Sequence, residues 1–448
     1  MSALYTLGAD TVLQPGDPAY DVATTPFNTR YLGRRPRAVV SVGSVSDVVR
    51  AVDWAGQTRV PITPRGGGHS YAGYSIGPGL VLDLRALDRI DVDPEAGLIT
   101  VGGGARNGAV YATLRRHDLA VPLGNSNEVG IGGLTLGGGV AAVSRAFGLT
   151  CDALVRTEMV LADGRTVTCS ATEHPDLFWA CRGGGGGNFG VNVSFTFQAR
   201  EPRSSSTCLL LWDGADARTV LTVMQDVMTG APDEFAARIG VARALRGPAG
   251  VSVIGQHLGP ATELRELLAP VLSAAPTSRC EITDRDYWDA KDFLHHETSG
   301  GAFAVRTRCT PKPLSENGID TIVAAIDRWP GSSNPDGAGV ALFTWGGAIN
   351  RVPVSDTAFP HRDTLFLVSM DTSWGASDPA LRVSRNMDWL DGLYEDMGAH
   401  ASDAAYVNFT DPALADWRSS YYGPNYARLA QIKKHYDPDR VFDFPQAV

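Results

Sequence analysis

Lysine is nearly absent from this chain of 448 residues: it occurs only as Lys291, Lys312, Lys433 and Lys434, and arginine carries almost all the positive charge. No lysine follows a glycine run, which excludes a Walker phosphate loop. A basic balance is missing too. The formal charge of −10 argues against a nucleic-acid partner, which requires a basic surface to displace counterions. No apolar run reaches the roughly eighteen residues of a membrane span, and the opening MSALYTLGAD lacks the basic start and apolar stretch of a secretory signal. These absences predict a cytoplasmic chain with no membrane partner, working on a small molecule. The six cysteines, at 151, 169, 181, 208, 280 and 309, include no close pair that could clip a metal or form a redox disulfide. His295-His296-Glu297 lacks the spacing that aims two imidazoles at one ion, so no metal is expected.

Glycine, by contrast, is abundant, with 50 residues. In the first two hundred residues short apolar runs alternate with glycine loops. SVSDVVRAVDWAGQTRV reads as a helix with Ser44 and Asp47 spaced as a capping box and Val48, Val49, Val52 and Ala55 on one face. VPITP, GLVLDL, RIDVDP and GLITVGG read as strands, and Asp163-Gly164 in MVLADGRTVTCS signals a tight hairpin. From about residue 204 to 402 longer helices such as ATELRELLAPVLSAA alternate with strands such as GVALFTWGGA and DTLFLVSMDTSW. A final segment, 403–448, returns to aromatic and polar motifs and closes on a helix and a turn.

Two short motifs suggest chemistry that their context refuses. GGGNFG, Gly185 to Gly190, satisfies a dinucleotide fingerprint but runs into the strand-like VNVSFTF instead of opening a helix. GYSIG, Gly73 to Gly77, satisfies a serine-hydrolase elbow that would use Ser75, but a turn and a strand follow it. The hydrolase stays open as a distant alternative. What remains is three glycine loops: RGGGHS, GNSNEVGIGGLTLGGG and RGGGGGNFG. Glycine lets several peptide N–H groups converge on one anion, so three such loops together point to a large phosphorylated cofactor held mostly by backbone.

RGGGHSYAGYS, GIGGLTLGGG, FGLTCDAL, DLFWACRGGGGGNFGV, AYVNFTD and YYGPNYARLAQIKKHYDP together resemble the berberine bridge enzyme-like family, FAD-dependent oxidases of the vanillyl-alcohol oxidase superfamily. The resemblance implies an α+β fold: a two-part PCMH-type FAD-binding domain formed by both chain ends, 1–203 and 403–448, plus a substrate domain, 204–402, built on an antiparallel sheet backed by helices. It assigns His69 to the covalent bond with the flavin. It further assigns cofactor contacts to Arg65, Gly66, Gly67, Gly68, Ser70 and Ser75, to Ser126, Val129, Gly130, Gly132, Gly133, Leu136, Gly138 and Gly139, to Gly190 and Val191, and to Asn408, Tyr422 and Asn425. Many members hold FAD by a second bond from a cysteine where this chain has Ser126; a hydroxyl is a far poorer nucleophile than a thiolate, so one bond is expected.

The activity implied is removal of a hydride from an alcohol or activated carbon, with electrons passed to O2 to give hydrogen peroxide. Tyr406 matches the tail tyrosine that serves as base in many relatives, and Tyr71 lies beside the anchoring histidine. A tyrosine titrates at about 10 in water and needs a cationic or hydrogen-bonding neighbour to act near neutrality; by chemistry alone Arg306 and Arg308 are candidates. Helpers used elsewhere are replaced here by Val140 and Ser369, and Asp371 is a further proton acceptor. Substrates implied are a secondary metabolite or a carbohydrate, with a polyketide-tailoring monooxygenase as the alternative and a monomer or homodimer as the assembly.

Overall fold

The computed structural model describes residues 12–245, 247–295 and 301–448 and contains three sheets. The first runs Val12–Leu13, Ala38–Ser41, Leu80–Asp83, Ile62–Arg65 in spatial order. Its last three strands are parallel and buried, and the connection between Ala38–Ser41 and Ile62–Arg65 is the helix Val45–Thr58. That helix starts as its sequence predicts, with Ser44 and Asp47 exchanging side-chain and backbone hydrogen bonds, which satisfies donors at the helix end that lack intrahelical partners. A second, antiparallel sheet runs Ile90–Asp93, Leu98–Gly102, Val191–Gln198, Leu154–Val160, Thr166–Ser170. The hairpin expected at Asp163-Gly164 joins its last two strands, with Gly164 at φ +81°, a conformation only glycine adopts freely.

The third sheet has seven antiparallel strands, in the order Arg279–Arg285, Ser205–Asp213, Gly250–His257, Phe235–Arg243, Ala338–Thr344, Phe366–Trp374, Ala302–Thr310. Alternate residues of a strand face opposite sides. Val340, Leu342, Val368 and Met370 pack under the helices Ala217–Gly230, Ala261–Ala274, Glu316–Asp327 and Ala380–Asp396. Ala341, Phe343, Leu367, Ser369 and Asp371 point the other way, into a cavity. One sheet face is therefore structural and the other is free to take a ligand.

The end of the chain comes back to the first sheet. Ile62 N–H donates to Val441 O at 2.9 Å, and Lys433 Nζ donates to Asn188 O, Asp437 Oδ2 and Phe442 O, each at 2.6 Å. A buried ammonium with three acceptors is well satisfied, and it ties the terminal helix Tyr426–Tyr436 to the third glycine loop. Among the described residues no helix is long and apolar enough to cross a membrane, and no group of three or more metal-ligating side chains occurs. His296 and Glu297, and the opening decapeptide, lie outside the described residues.

Candidate active site

A cavity of about 810 Å³ lies between the glycine loops and the free face of the seven-stranded sheet. All three loops reach it: Arg65–Ser70 leaves the strand Ile62–Arg65, Ser126 to Gly133 leads into the helix Ile131–Leu136, and Gly185 to Gly190 precedes the strand Val191–Gln198. Two of them cross backbone to backbone. A Cβ on Gly67 would lie 2.3 Å from the amide nitrogen of Gly130, and one on Gly130 would lie 2.2 Å from that of Gly67. Neither position can carry a side chain without parting the loops.

Of the residues singled out in the sequence, Arg65, Gly66, Gly67, Gly68, His69, Ser70, Tyr71, Ser75, Ser126, Val129, Gly130, Gly132, Gly133, Leu136, Gly190, Tyr406, Asn408 and Tyr422 all line this cavity. Four others do not. Val191 packs in the core between the first two sheets, and Asn425 Nδ2 donates to the carbonyls of Val354, Thr357 and Ala358. Gly138 lies against Phe359, and Gly139 acts through its N–H on Tyr406. The Arg65 guanidinium is likewise occupied, donating to Ala23 O and Thr25 O at 2.6 and 2.8 Å. Ser75 Oγ donates to Gly68 O at 3.4 Å, and the chain continues into the strand Leu80–Asp83, without the helix a nucleophile elbow requires.

His69 is half-buried on the cavity wall, and burial, aided by the Arg106 cation, pushes its pKa down to about 4. The imidazole is therefore neutral at physiological pH and keeps a free lone pair. A residue that the sequence did not suggest, Phe27, stacks flat on it with ring centroids 3.5 Å apart. Tyr406 is buried in an aromatic cluster, edge-on to Trp345 at 5.4 Å and near Phe409 at 5.4 Å. Its hydroxyl oxygen accepts hydrogen bonds from Gly139 N–H and Asn408 Nδ2, both at 3.0 Å. Burial raises its pKa, and these two donors oppose that rise. Burial pushes Tyr71 up to about 12 and Asp371 up to about 6; the Asp371 charge adds to the first, and Arg238 lowers both.

Arg306 and Arg308 do not serve Tyr406, which corrects the expectation drawn from chemistry alone. Both side chains leave the strand Ala302–Thr310 on the face opposite Phe303 and Val305, which line the cavity. Arg306 bonds Asp391 and Asp411, and Arg308 donates to Asp403 Oδ1 at 2.6 Å and to Tyr394 O at 3.1 Å. The strand register instead brings Thr307 to the tail, where its Oγ1 accepts Tyr406 N–H at 3.0 Å.

The FAD binding domain family matches residues 36–170, and the family described as berberine and berberine like matches residues 405–448. The FAD-linked oxidoreductase YgaK of Bacillus subtilis is 35% identical over 96% of this chain and 95% of its own length. The chain belongs to the berberine bridge enzyme-like family of FAD-linked oxidoreductases. Xylooligosaccharide oxidase of Thermothelomyces thermophilus is 30% identical over 95% of this chain and 89% of its own. The structure of BBE-like 1 from Physcomitrella patens superposes with a TM-score of 0.89 at 29% identity, covering 100% of this chain and 98% of that one.

The cavity of this berberine bridge enzyme-like protein fits the cofactor of its family. Gly133 faces it with nothing within 4 Å of where a Cβ would be, and at Gly186 and Gly187 the nearest atoms are 3.7 and 3.9 Å away. Bare backbone thus forms a cradle that side chains would fill. Gln446, on the tail, lines the cavity with Oε1 buried and without a hydrogen-bond partner. A buried acceptor left unpaired is costly, and an N–H or O–H of a nucleotide would satisfy it.

Proposed function

We propose that this oxidoreductase is an oxidase that takes a hydride from an alcohol carbon of a hydroxylated small molecule, a carbohydrate or a secondary metabolite, and passes the electrons to O2. The observation that carries this reading is the convergence, on one cavity, of the glycine cradle, a neutral His69 and the hydrogen-bonded Tyr406. Bound FAD supplies the two-electron acceptor. His69 would hold it by one covalent bond, since its neutral imidazole nitrogen is a competent nucleophile toward the flavin 8-methyl carbon. Ser126 makes no second bond.

Tyr406 is the proton acceptor. Its oxygen is fixed by two donors, which stabilise the phenolate formed when the phenol gives up its own proton; a substrate hydroxyl then donates to the third lone pair of that phenolate. Tyr71, stacked on Phe409 at 5.2 Å, and Asp371 on the sheet floor are the groups that can pass that proton on. The polar floor of Ser369, Asp371 and Ser373, with Arg238 two strands away in the same sheet, suits hydroxyl groups. The name of the xylooligosaccharide oxidase agrees with that class. The same reading divides the chain into a FAD part, 1–203 and 403–448, and a substrate part, 204–402; the tail's bonds to Asn188 and Ile62 support it.

The test has two stages. Acid-precipitated wild-type protein is expected to stay yellow, and His69→Ala protein to lose its flavin. Anaerobic mixing with a panel of oligosaccharides and phenolic glycosides should then bleach the flavin, with one peroxide formed per substrate oxidised in air. Oxygen uptake with little peroxide and an oxygenated product would replace the oxidase by a monooxygenase. Reduced protein that stays reduced for minutes in air would exclude both.

A further inference from the structure

The segment from Ala23 to Tyr31 belongs to none of the glycine loops, yet it is bound to the first of them and to the seven-stranded sheet. Arg65, at the start of the loop, grips Ala23 O and Thr25 O. The Tyr31 ring packs so closely on Gly73 that a Cβ there would lie 2.7 Å from it. Asn28 Nδ2 donates to Tyr71 O at 2.8 Å and to Phe303 O at 3.0 Å, while Asn28 Oδ1 accepts Phe303 N–H at 3.2 Å. Thr29 N–H adds a bond to Gly301 O at 3.0 Å. One amide side chain therefore completes a backbone-like pair with the sheet and holds the loop as well.

Phe27 sits between these anchors. Its ring is held by an edge contact with Phe303 at 5.8 Å and lies flat against His69, with centroids 3.5 Å apart and planes 23° apart. We propose that Phe27 is a positioning residue for His69: it fixes the plane of the imidazole and keeps water from one of its faces, so that the ring is presented in a single orientation to the flavin. The proposal rests on the reading that His69 carries the flavin. An imidazole has a broad, soft torsion about its last bond, and bond formation demands a narrow approach; a rigid aromatic plane at van der Waals distance removes that freedom. An aliphatic side chain of similar volume would fill the space without setting a plane. The enclosure agrees with the neutral state of His69, whose pKa burial holds near 4.

The test separates binding of FAD from its attachment. Wild-type, Phe27→Leu, Phe27→Met and Phe27→Tyr proteins are produced in riboflavin-depleted cells so that they are purified largely free of FAD, then incubated with excess FAD, and total FAD, acid-stable FAD and the thermal midpoint are followed over time. Phe27→Leu and Phe27→Met are expected to bind FAD one to one but to attach it at least ten-fold more slowly, with Phe27→Tyr restoring the wild-type rate. Wild-type attachment in Phe27→Leu would overturn the proposal. So would loss of folding in both aliphatic variants, which would make Phe27 a packing residue only. Release of all FAD by acid from the wild type would overturn the His69 bond itself, a failure distinct from the other two.

Discussion

Replacing Asp371 by asparagine should stabilise the protein at neutral pH and leave it unchanged in acid. Asp371 lies on the sheet floor, facing the cavity, and burial raises its pKa from 3.8 to about 6 against the opposing pull of Arg238. A raised carboxyl pKa means that the folded state prefers the protonated form. The stability this group supplies is fully present below pH 3.8, where folded and unfolded chains are both protonated, and is lost as pH rises through about 6. Above that the folded protein carries a buried charge that costs about 3 kcal/mol by linkage, and about half as much where water in the cavity solvates the carboxylate. Asparagine keeps the shape and removes the charge. For a chain of this size each kcal/mol moves the midpoint by about 1 °C, so Asp371→Asn should melt ~1.5–3 °C higher at pH 7.5 and within error of wild type at pH 4. Thermal unfolding of both proteins across pH 3.5–8, compared as a difference curve, is the assay. A difference independent of pH, or one that grows toward acid, would refute the reasoning.

Tyr406→Phe should slow anaerobic flavin reduction by about 10²–10⁴-fold at unchanged FAD content, the usual contribution of a general base; a reduction rate within a few-fold of wild type would move the proton acceptor to Tyr71 or Asp371. The same variant leaves the buried Gly139 N–H without its acceptor and should lose about 1–3 kcal/mol of stability, read from denaturant unfolding. Gly67→Ala forces a Cβ to within 2.3 Å of the Gly130 nitrogen, so purified protein should hold little FAD by absorbance while the seven-stranded sheet domain keeps its circular dichroism. Val129 lines the cavity three residues after Ser126; Val129→Leu adds one methylene to the cavity wall and should slow reoxidation of the reduced flavin by oxygen by narrowing the space open to a diatomic, and reoxidation at the wild-type rate would show that oxygen does not pass Val129.

Particular residues explain what was legible without coordinates. The helix Val45–Thr58 could be read because its cap and its apolar stripe are local signals, the strand Ala338–Thr344 because it is a short apolar run, and Phe366–Trp374 because Phe366, Val368, Met370 and Trp374 alternate with Ser369, Asp371 and Ser373. The glycine loops were equally plain, since bare backbone has no other residue that can provide it. Eighteen of the residues expected at the site came together on one cavity because those expectations rested on motifs, each of which preserves a local backbone shape.

What local pattern leaves open is direction across the fold. Arg306 and Arg308 have the right charge to assist Tyr406, but strand alternation turns both toward the helix Ala380–Asp396, and nothing within their own segment says which face the tail will meet. Phe27 stands in the unremarkable run PFNTR, and its place on His69 is set by anchors distant in sequence, among them the pairing of Asn28 with Phe303, 275 residues away. The raised pKa of Asp371 likewise comes from enclosure by chain segments distant in sequence. The sequence by itself determined the family, the cofactor and the bare-backbone cradle, because these depend on residue type and spacing. Tertiary structure alone decided which charges reach the cavity and which ring faces His69, because a side chain's neighbours are set by long-range packing that no short window contains.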